Sequence, residues 1–342
     1  MSEFVTLEEI RAAKERIAGV AVRTPLYRVE RERLRMRKFP ELEFDLYIKA
    51  ESEQPIGSFK LRGAYNMVSQ LPPEALERGV ITYSSGNHAQ GVAYAARVLG
   101  AKAVIVMPDN APEVKKAATR ALGAEIVEVG PASSERRLKA EELVAKFGYA
   151  MIPPYDAPQI IAGQATCGLE IVEQLPGVEL VISPVSGGGL LSGVATAVKL
   201  AAQAGLADPN VKVWGAEPEL AADAKESFYS KTLVEWTAEK TTRTIGDGLR
   251  TQSLGVLNFQ HILRFVDGIV SVTEDEILAA MRVMLGATKL VPEPSGAVTL
   301  AAALFHSEEL PKAKKVAVVL SGGNLEPALR KQLEGELAAA RV

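Results

Sequence analysis

What most constrains this chain is a rhythm repeated along it. A short, nearly all-apolar β-branched run is followed by a turn of Gly, Pro or Ser, and then by a stretch with helical period. The runs are DLYIKA (45–50), VITYS (80–84), KAVIVM (102–107), EIVEV (125–129), LVISPV (180–185), VKVWGA (211–216) and KKVAVVLS (314–321). Helical stretches such as AQGVAYAARVLG and EVKKAATRALG come between them. Strands that are apolar at consecutive positions are buried on both faces, and strands separated by helices pair in parallel. The pattern predicts an α/β protein with parallel-rich twisted sheets covered by helices. Two such series are visible with no Gly/Ser linker between them. A large unit of residues 1–52 and 155–342 and a small unit of 53–154 are expected, with the active site between them. A length of 342 residues suits that division.

Charge and cysteine content remove several function classes. With 39 Lys and Arg against 42 Asp and Glu, the net charge is −3. That gives no electrostatic footprint for nucleic acid or an acidic membrane surface, and a small polar substrate is the easier partner. Cys167 is the only cysteine, so no internal disulfide can form and a reducing compartment fits. It lies in GQATCGLEI, an apolar helical run, where a buried structural thiol is expected rather than a nucleophile. The start, MSEFVTLEEIRAAKERI, mixes both charge signs on an amphipathic pattern, unlike a signal peptide, and no apolar stretch approaches the length of a membrane span. A cytoplasmic location is expected.

In open α/β sheets ligands bind beyond the carboxyl ends of strands, so the residues there carry the most information. GSFKLRGA (57–64) puts Lys60 at the mouth of a helix, where the helix dipole opposes a positive charge. It is either a surface lysine or one whose basicity is meant to fall. SSGNHAQG (84–91) offers hydroxyl and backbone N–H donors at one strand-to-helix turn, suiting a carboxylate or serving as an ordinary cap. SGGGLLSG (186–193) opens a helix with three glycines, which suits a phosphate, although it is neither a nucleotide-triphosphate loop nor a dinucleotide fingerprint. AEPELAAD (216–223) reads on its own as two solvated acids in a first helical turn, with a hard-cation site as the sharper alternative. PEPSGA (292–297) reads as a helix start with Ser295 as its cap. LSGGN (320–324) ends the most apolar strand of the second half and sends the Ser321 hydroxyl towards the crevice. A phosphorylated aldehyde cofactor acting on an amino acid would use such a lysine, cradle, anion turn and serine together.

GSFKLRGA, SSGNHAQG, PVSGGGLLSG, EPSGA and LSGGN, in this order and in these strand contexts, resemble the fold-type-II pyridoxal-phosphate enzymes, which share a tryptophan synthase β-like fold. The resemblance is to the threonine/serine dehydratase and serine racemase branch and covers about residues 5–335. Leu61 after Lys60 and His88 after Asn87 separate the chain from the cysteine and threonine synthases. The resemblance implies that Lys60 forms the Schiff base with pyridoxal 5'-phosphate and that Phe59 packs beside it. Asn87 would meet the ring hydroxyl, Gly187, Gly188, Gly189 and Leu190 the phosphate, and Ser321 the ring nitrogen. Ser84, Ser85, Asn87, His88 and Arg136 would surround the substrate carboxylate, with Ser85 as the acid of racemases. Glu217, the Ala221 carbonyl and Asp223 match the branch's divalent-cation site, for Mg, Ca or Mn. Ser186 stands where many relatives have a glycine, and is read as tolerated variation, since a hydroxyl there could add a phosphate hydrogen bond. A regulatory domain of the kind that biosynthetic threonine dehydratases carry is not expected after Glu334.

The implied activity is β-elimination from L-threonine or L-serine, giving 2-oxobutanoate or pyruvate and ammonia. Serine racemisation and 3-hydroxyaspartate dehydration are the alternatives within the branch. A non-catalytic ligand-binding α/β protein is the alternative from another class, and an NAD-linked dehydrogenase is disfavoured for lack of a fingerprint. A homodimer or homotetramer is expected.

Overall fold

The computed structural model describes residues 4–36, 42–84, 86–111, 113–130 and 133–339. Among the described residues ten strands form two sheets: β1 (Leu26–Arg28), β2 (Asp45–Ala50), β3 (Val80–Tyr83), β4 (Ala103–Pro108), β5 (Glu125–Val129), β6 (Ala150–Met151), β7 (Leu180–Pro184), β8 (Lys212–Pro218), β9 (Gly268–Val272) and β10 (Lys315–Leu320). The seven apolar runs are all strands. Three strands lie outside those runs: β1 and β6, of three and two residues, are too short to show a pattern, while β9 (GIVSV) is as long as β5.

One sheet has six strands in the order β1-β2-β10-β7-β8-β9, and only the β1/β2 pair is antiparallel. The other has four parallel strands in the order β5-β4-β3-β6. Alternation along β10 shows why the larger sheet is covered twice. Ala317 and Val319 point into a core made with the helices Pro158–Gln174 and Gly189–Gln203, while Val316, Val318 and Leu320 point into one made with Glu274–Ala287 and Pro294–Phe305. Successive side chains of a strand face opposite ways, so a run apolar at every position needs two cores.

Strand order fixes where a ligand can sit. From β7 the chain moves outward through β8 and β9, then returns to place β10 on the other side of β7. The smaller sheet does the same: β3, β4 and β5 run outward, and β6 returns beside β3. Each reversal parts the loops that leave two neighbouring strands and opens a crevice at their carboxyl ends. The four loops concerned begin after Pro184, Leu320, Tyr83 and Met151.

Among the described residues no helix is long and apolar enough to cross a membrane.

Candidate active site

Contacts join these four loops into one site. Lys60 opens the helix Lys60–Val68, and the residues before it are laddered onto the loop after β10. Phe59 N–H donates to the Ser321 carbonyl at 3.0 Å, Gly323 N–H donates to the Gly57 carbonyl at 2.9 Å, and Ser58 bridges Gly322. Gly57 takes φ 72°, the left-handed region that favours glycine. The backbone of Ser321 is thereby fixed next to the start of the lysine helix, and the residue is buried.

Lys60 Nζ donates to the Pro154 carbonyl, in the loop after β6, at 2.7 Å and stands 5.2 Å from the Phe59 ring centroid. Burial lowers its pKa to about 8. The reduced basicity anticipated from the helix mouth is present, and desolvation is its cause.

Tyr155, next to Pro154, closes on the glycine loop after β7. A Cβ on Gly187 would stand 2.5 Å from its ring, and one on Gly189 would stand 3.0 Å from its Cβ. Gly188 at φ 93° leads into the helix Gly189–Gln203, whose first N–H groups have no partner within the helix. The loop is held from behind by Gly255 N–H and Asn258 Nδ2, which donate to the Gly187 carbonyl at 3.0 Å and 2.8 Å. Asp156 in turn caps the helix Val256–Phe265, accepting from the Val256 and Leu257 N–H groups at 3.0 Å each. This donor set fits a phosphate: glycines where side chains would clash, at a helix N-terminus, with Leu190 in its first turn.

Ser186 turns its hydroxyl to other partners. Its hydroxyl donates to the Gly248 carbonyl at 3.1 Å and shares a 3.1 Å hydrogen bond with Thr251 Oγ1. It ties the loop to the segment above it instead of adding to the cradle. Ser186 also stands at φ 56°, a strained conformation for a residue with a Cβ.

Beyond β3, Ser84 Oγ accepts from Gly86 N–H at 3.3 Å, and Asn87 opens the helix Asn87–Val98. Ser85 lies outside the described residues. Asn87 Nδ2 donates to Glu293 Oε1 at 2.8 Å, and Asn324 Nδ2 donates to Asn87 Oδ1 at 2.7 Å. The imidazole of His88 is buried against the Ile152 carbonyl, with Nε2 at 3.1 Å, and burial together with the Lys60 charge lowers its pKa to about 3. The ring is therefore neutral, and what His88 offers an anion is its backbone N–H in the first turn. Arg136 is half-buried on the helix Ser133–Phe147, and burial lowers its pKa from the ordinary value.

Glu217 on β8, Ala221 and Asp223 are all buried, which overturns the reading of two solvated acids. Glu217 Oε1 accepts from Lys225 N–H at 2.7 Å, but Glu217 Oε2 and Asp223 Oδ2 are buried without a hydrogen-bond partner. Burial, and then the charge of Asp223, raises the pKa of Glu217 well above the usual range, and burial raises that of Asp223 to about 7. Among the described residues no group of three or more His, Cys, Asp or Glu side chains could hold a metal, so any cation here would draw on backbone oxygens as well. Ser295 is not the cap of its helix. Glu293 occupies that position and Pro294 the first turn, which leaves Ser295 Oγ to accept from Gly248 N–H at 2.9 Å. Cys167 is fully buried, and burial pushes its thiol pKa well above the ordinary value, as suits a structural residue.

Sequence reasoning gave no role to Pro154, Tyr155, Glu293 or Asn324. The last two sat inside quoted motifs, PEPSGA and LSGGN. The first two sit in PPYDAP after a strand too short to see, so no local signal marked them.

Comparison with known proteins places these features in company. A family model described as pyridoxal-phosphate dependent enzyme matches residues 17–322. The chain is 41% identical to the L-threo-3-hydroxyaspartate ammonia-lyase of Saccharomyces cerevisiae over 82% of this chain and 83% of that one. It is 40% identical to the L-threonine ammonia-lyase of Thermotoga maritima over 94% of this chain and 76% of the relative. The crystal structure of serine racemase from Dictyostelium discoideum superposes with a TM-score of 0.85 at 36% identity, covering 95% of this chain and 100% of that one.

Proposed function

The chain belongs to the pyridoxal-phosphate dependent enzymes, and from that premise we propose that it is a threonine/serine ammonia-lyase. It would convert L-threonine or L-serine to 2-oxobutanoate or pyruvate plus ammonia. The observation that carries this reading is the buried Lys60 amine, at about pKa 8, held by a single carbonyl where four strand-end loops converge. When bound there, pyridoxal phosphate supplies an electron sink for negative charge left at the substrate Cα.

The chain's own residues do the rest. Gly187, Gly188, Gly189 and Leu190 would line the phosphate, with backbone N–H groups of the loop and first helical turn as donors. Phe59 would flank the ring. Asn87, its amide set by Glu293 and Asn324, would donate its remaining N–H to the ring hydroxyl. Ser321 would face the ring nitrogen with a neutral hydroxyl, which cannot hold a proton there by charge. Ser84, Ser85, Asn87, the His88 N–H and Arg136 receive the substrate carboxylate. Lys60 Nζ would take the Cα proton, and only its neutral form can do so. The Pro154 carbonyl accepts from Nζ and so aims its lone pair. The Cβ hydroxyl would leave as water with the proton that Lys60 took from Cα, and water would hydrolyse the resulting enamine to the 2-oxo acid and ammonia.

Two orphaned carboxylate oxygens support a divalent cation, Mg, Ca or Mn, held by Glu217, the Ala221 carbonyl and Asp223. A cytoplasmic homodimer or homotetramer completes the proposal.

Relatives of similar identity keep two other reactions in view. Serine racemisation would use Ser85 as the acid on the face opposite Lys60, and 3-hydroxyaspartate would be eliminated as threonine is. One experiment separates them. L-threonine, L-serine and L-threo-3-hydroxyaspartate are assayed for 2-oxo acid release, with chiral chromatography of the serine products. Abundant D-serine with little pyruvate would overturn the ammonia-lyase reading, and a colourless protein that takes up no pyridoxal phosphate would overturn any enzymatic one.

A further inference from the structure

The stretch 57–64 contains a second cation that the proposed chemistry does not use. Arg62 lies one helical half-turn beyond Lys60 and is fully buried. Its Nε and Nη2 donate to the two oxygens of Glu51 at 2.7 Å and 2.8 Å. Its Nη1 and Nη2 donate to the two oxygens of Glu170 at 2.8 Å each, and Nη1 also reaches Thr166 Oγ1 at 3.0 Å. Lys49 Nζ closes the group on Glu170 Oε2 at 2.6 Å, the Thr24 carbonyl at 2.7 Å and Gln174 Oε1 at 2.8 Å. Two cations thus face two anions, none of the four side chains more than 4% exposed. A planar guanidinium held as a fork by two carboxylates has a fixed position and a fixed orientation, which an ammonium would not have.

The clamp is the first joint of a stack. Glu51 follows β2, and Glu170 and Thr166 lie on the helix Pro158–Gln174, so Arg62 ties the lysine helix to both. One residue on, that helix crosses Pro158–Gln174 at bare backbone. A Cβ on Gly163 would stand 2.6 Å from Gly63 Cα and 2.7 Å from the Arg62 carbonyl. Pro158–Gln174 then crosses Gly189–Gln203 in the same manner, where a Cβ on Gly168 would stand 2.7 Å from the Val194 carbonyl and one on Gly193 2.6 Å from Ala165 N. Lys60 and the phosphate loop are therefore the two ends of three helices packed without intervening side chains at their crossings.

We propose that Arg62 is a positioning residue for Lys60: its two-carboxylate clamp locks the lysine helix onto this stack and so sets where Nζ stands relative to the Pro154 carbonyl and the phosphate loop. The four charges sum to zero and burial, not any of them, accounts for the lowered basicity of Lys60, so the effect on Lys60 is one of placement.

The inference rests on Lys60 being the lysine that carries the cofactor, which is checked separately. The wild-type holoenzyme is reduced with borohydride and its peptides are weighed, and an unlabelled Lys60 peptide would overturn that assignment. With Lys60 labelled, Arg62→Lys keeps the charge and removes the fork. Turnover per borohydride-fixed site should fall at least about tenfold, with KM changed by less than about threefold, because a base displaced by a fraction of an ångström loses alignment before it loses substrate. Met281→Ala, a cut in the buried core of the distant helix Glu274–Ala287, serves as the stability control. It should lower Tm and leave turnover per fixed site unchanged. If Arg62→Lys does not fold, Thr166→Val removes a single bond to Nη1 and should lower turnover per fixed site by about two- to fivefold. Turnover per fixed site within the error of wild type in the folded variant would show that the clamp only stabilises the fold, and would overturn the proposal.

Discussion

Asn87 Nδ2 donates to Glu293 Oε1 at 2.8 Å, joining the turn after β3 to a residue 206 positions later in the chain. Asn324 Nδ2 donates to the other end of the same amide at 2.7 Å. An amide held at both ends cannot flip, so the one N–H it has left points in one direction. Burial, and then the charge of Asp247, raises the Glu293 pKa to about 7. The carboxyl is thus protonated below about pH 7 and ionised above it, and the ionised form is the stronger acceptor for Asn87. The absorbance of bound cofactor should show a step near pH 7 in the wild type that is missing in Glu293→Gln. An identical titration in the variant would remove Glu293 from the site.

Lys60→Ala should give a colourless protein with turnover reduced by about 10⁴-fold or more, since in the proposed function the same group carries the cofactor and takes the proton. In the wild type, the neutral amine is the active form and burial sets its pKa at about 8. Turnover should rise with pH, pass through half its plateau near pH 8 and level off above about pH 9. A kcat that falls between pH 7 and 8.5 would contradict the assigned role.

The buried oxygens Glu217 Oε2 and Asp223 Oδ2 have no hydrogen-bond partner. A divalent cation would satisfy both, and anything that binds the native state alone raises its melting temperature. Millimolar Mg²⁺ or Ca²⁺ should raise Tm after exhaustive chelation, and Glu217→Gln should abolish the response. No shift with either ion or with Mn²⁺ at pH 8 would dispose of the site.

Ser186 combines a strained φ of 56° with two hydroxyl contacts. Glycine relieves the strain, by about 1 kcal/mol, and loses the contacts; alanine loses the contacts and keeps the strain. Denaturant titration should therefore rank Ser186→Gly above Ser186→Ala by about 1 kcal/mol, with neither far from wild type. Equal stabilities of the two variants would show that the backbone is not strained there.

Much of the fold was legible because a strand buried on both faces has to be apolar at consecutive positions, and seven runs of that kind stand out. β6 escaped because two residues, Ala150 and Met151, are too few to show a pattern, and with it went Pro154 and Tyr155. Arg62 escaped for the opposite reason. It sits in the most conspicuous motif of the chain, but a buried arginine and an exposed one are spelled alike, and its partners lie 11 and 108 positions away.

The chain by itself determined which residues end its strands, and hence which side chains and glycines are available for chemistry: Lys60, the turn 84–88, the loop 186–190 and Ser321. These are local properties, set by residue type and period. Which of those ends meet was decided by the return of β10 beside β7 and of β6 beside β3, because a crevice opens only where two neighbouring strands lead their loops apart. Protonation was decided there as well. The lowered pKa of Lys60, the neutral ring of His88 and the raised pKa values of Glu217 and Asp223 all arise chiefly from burial, and burial is supplied by residues that are distant in sequence.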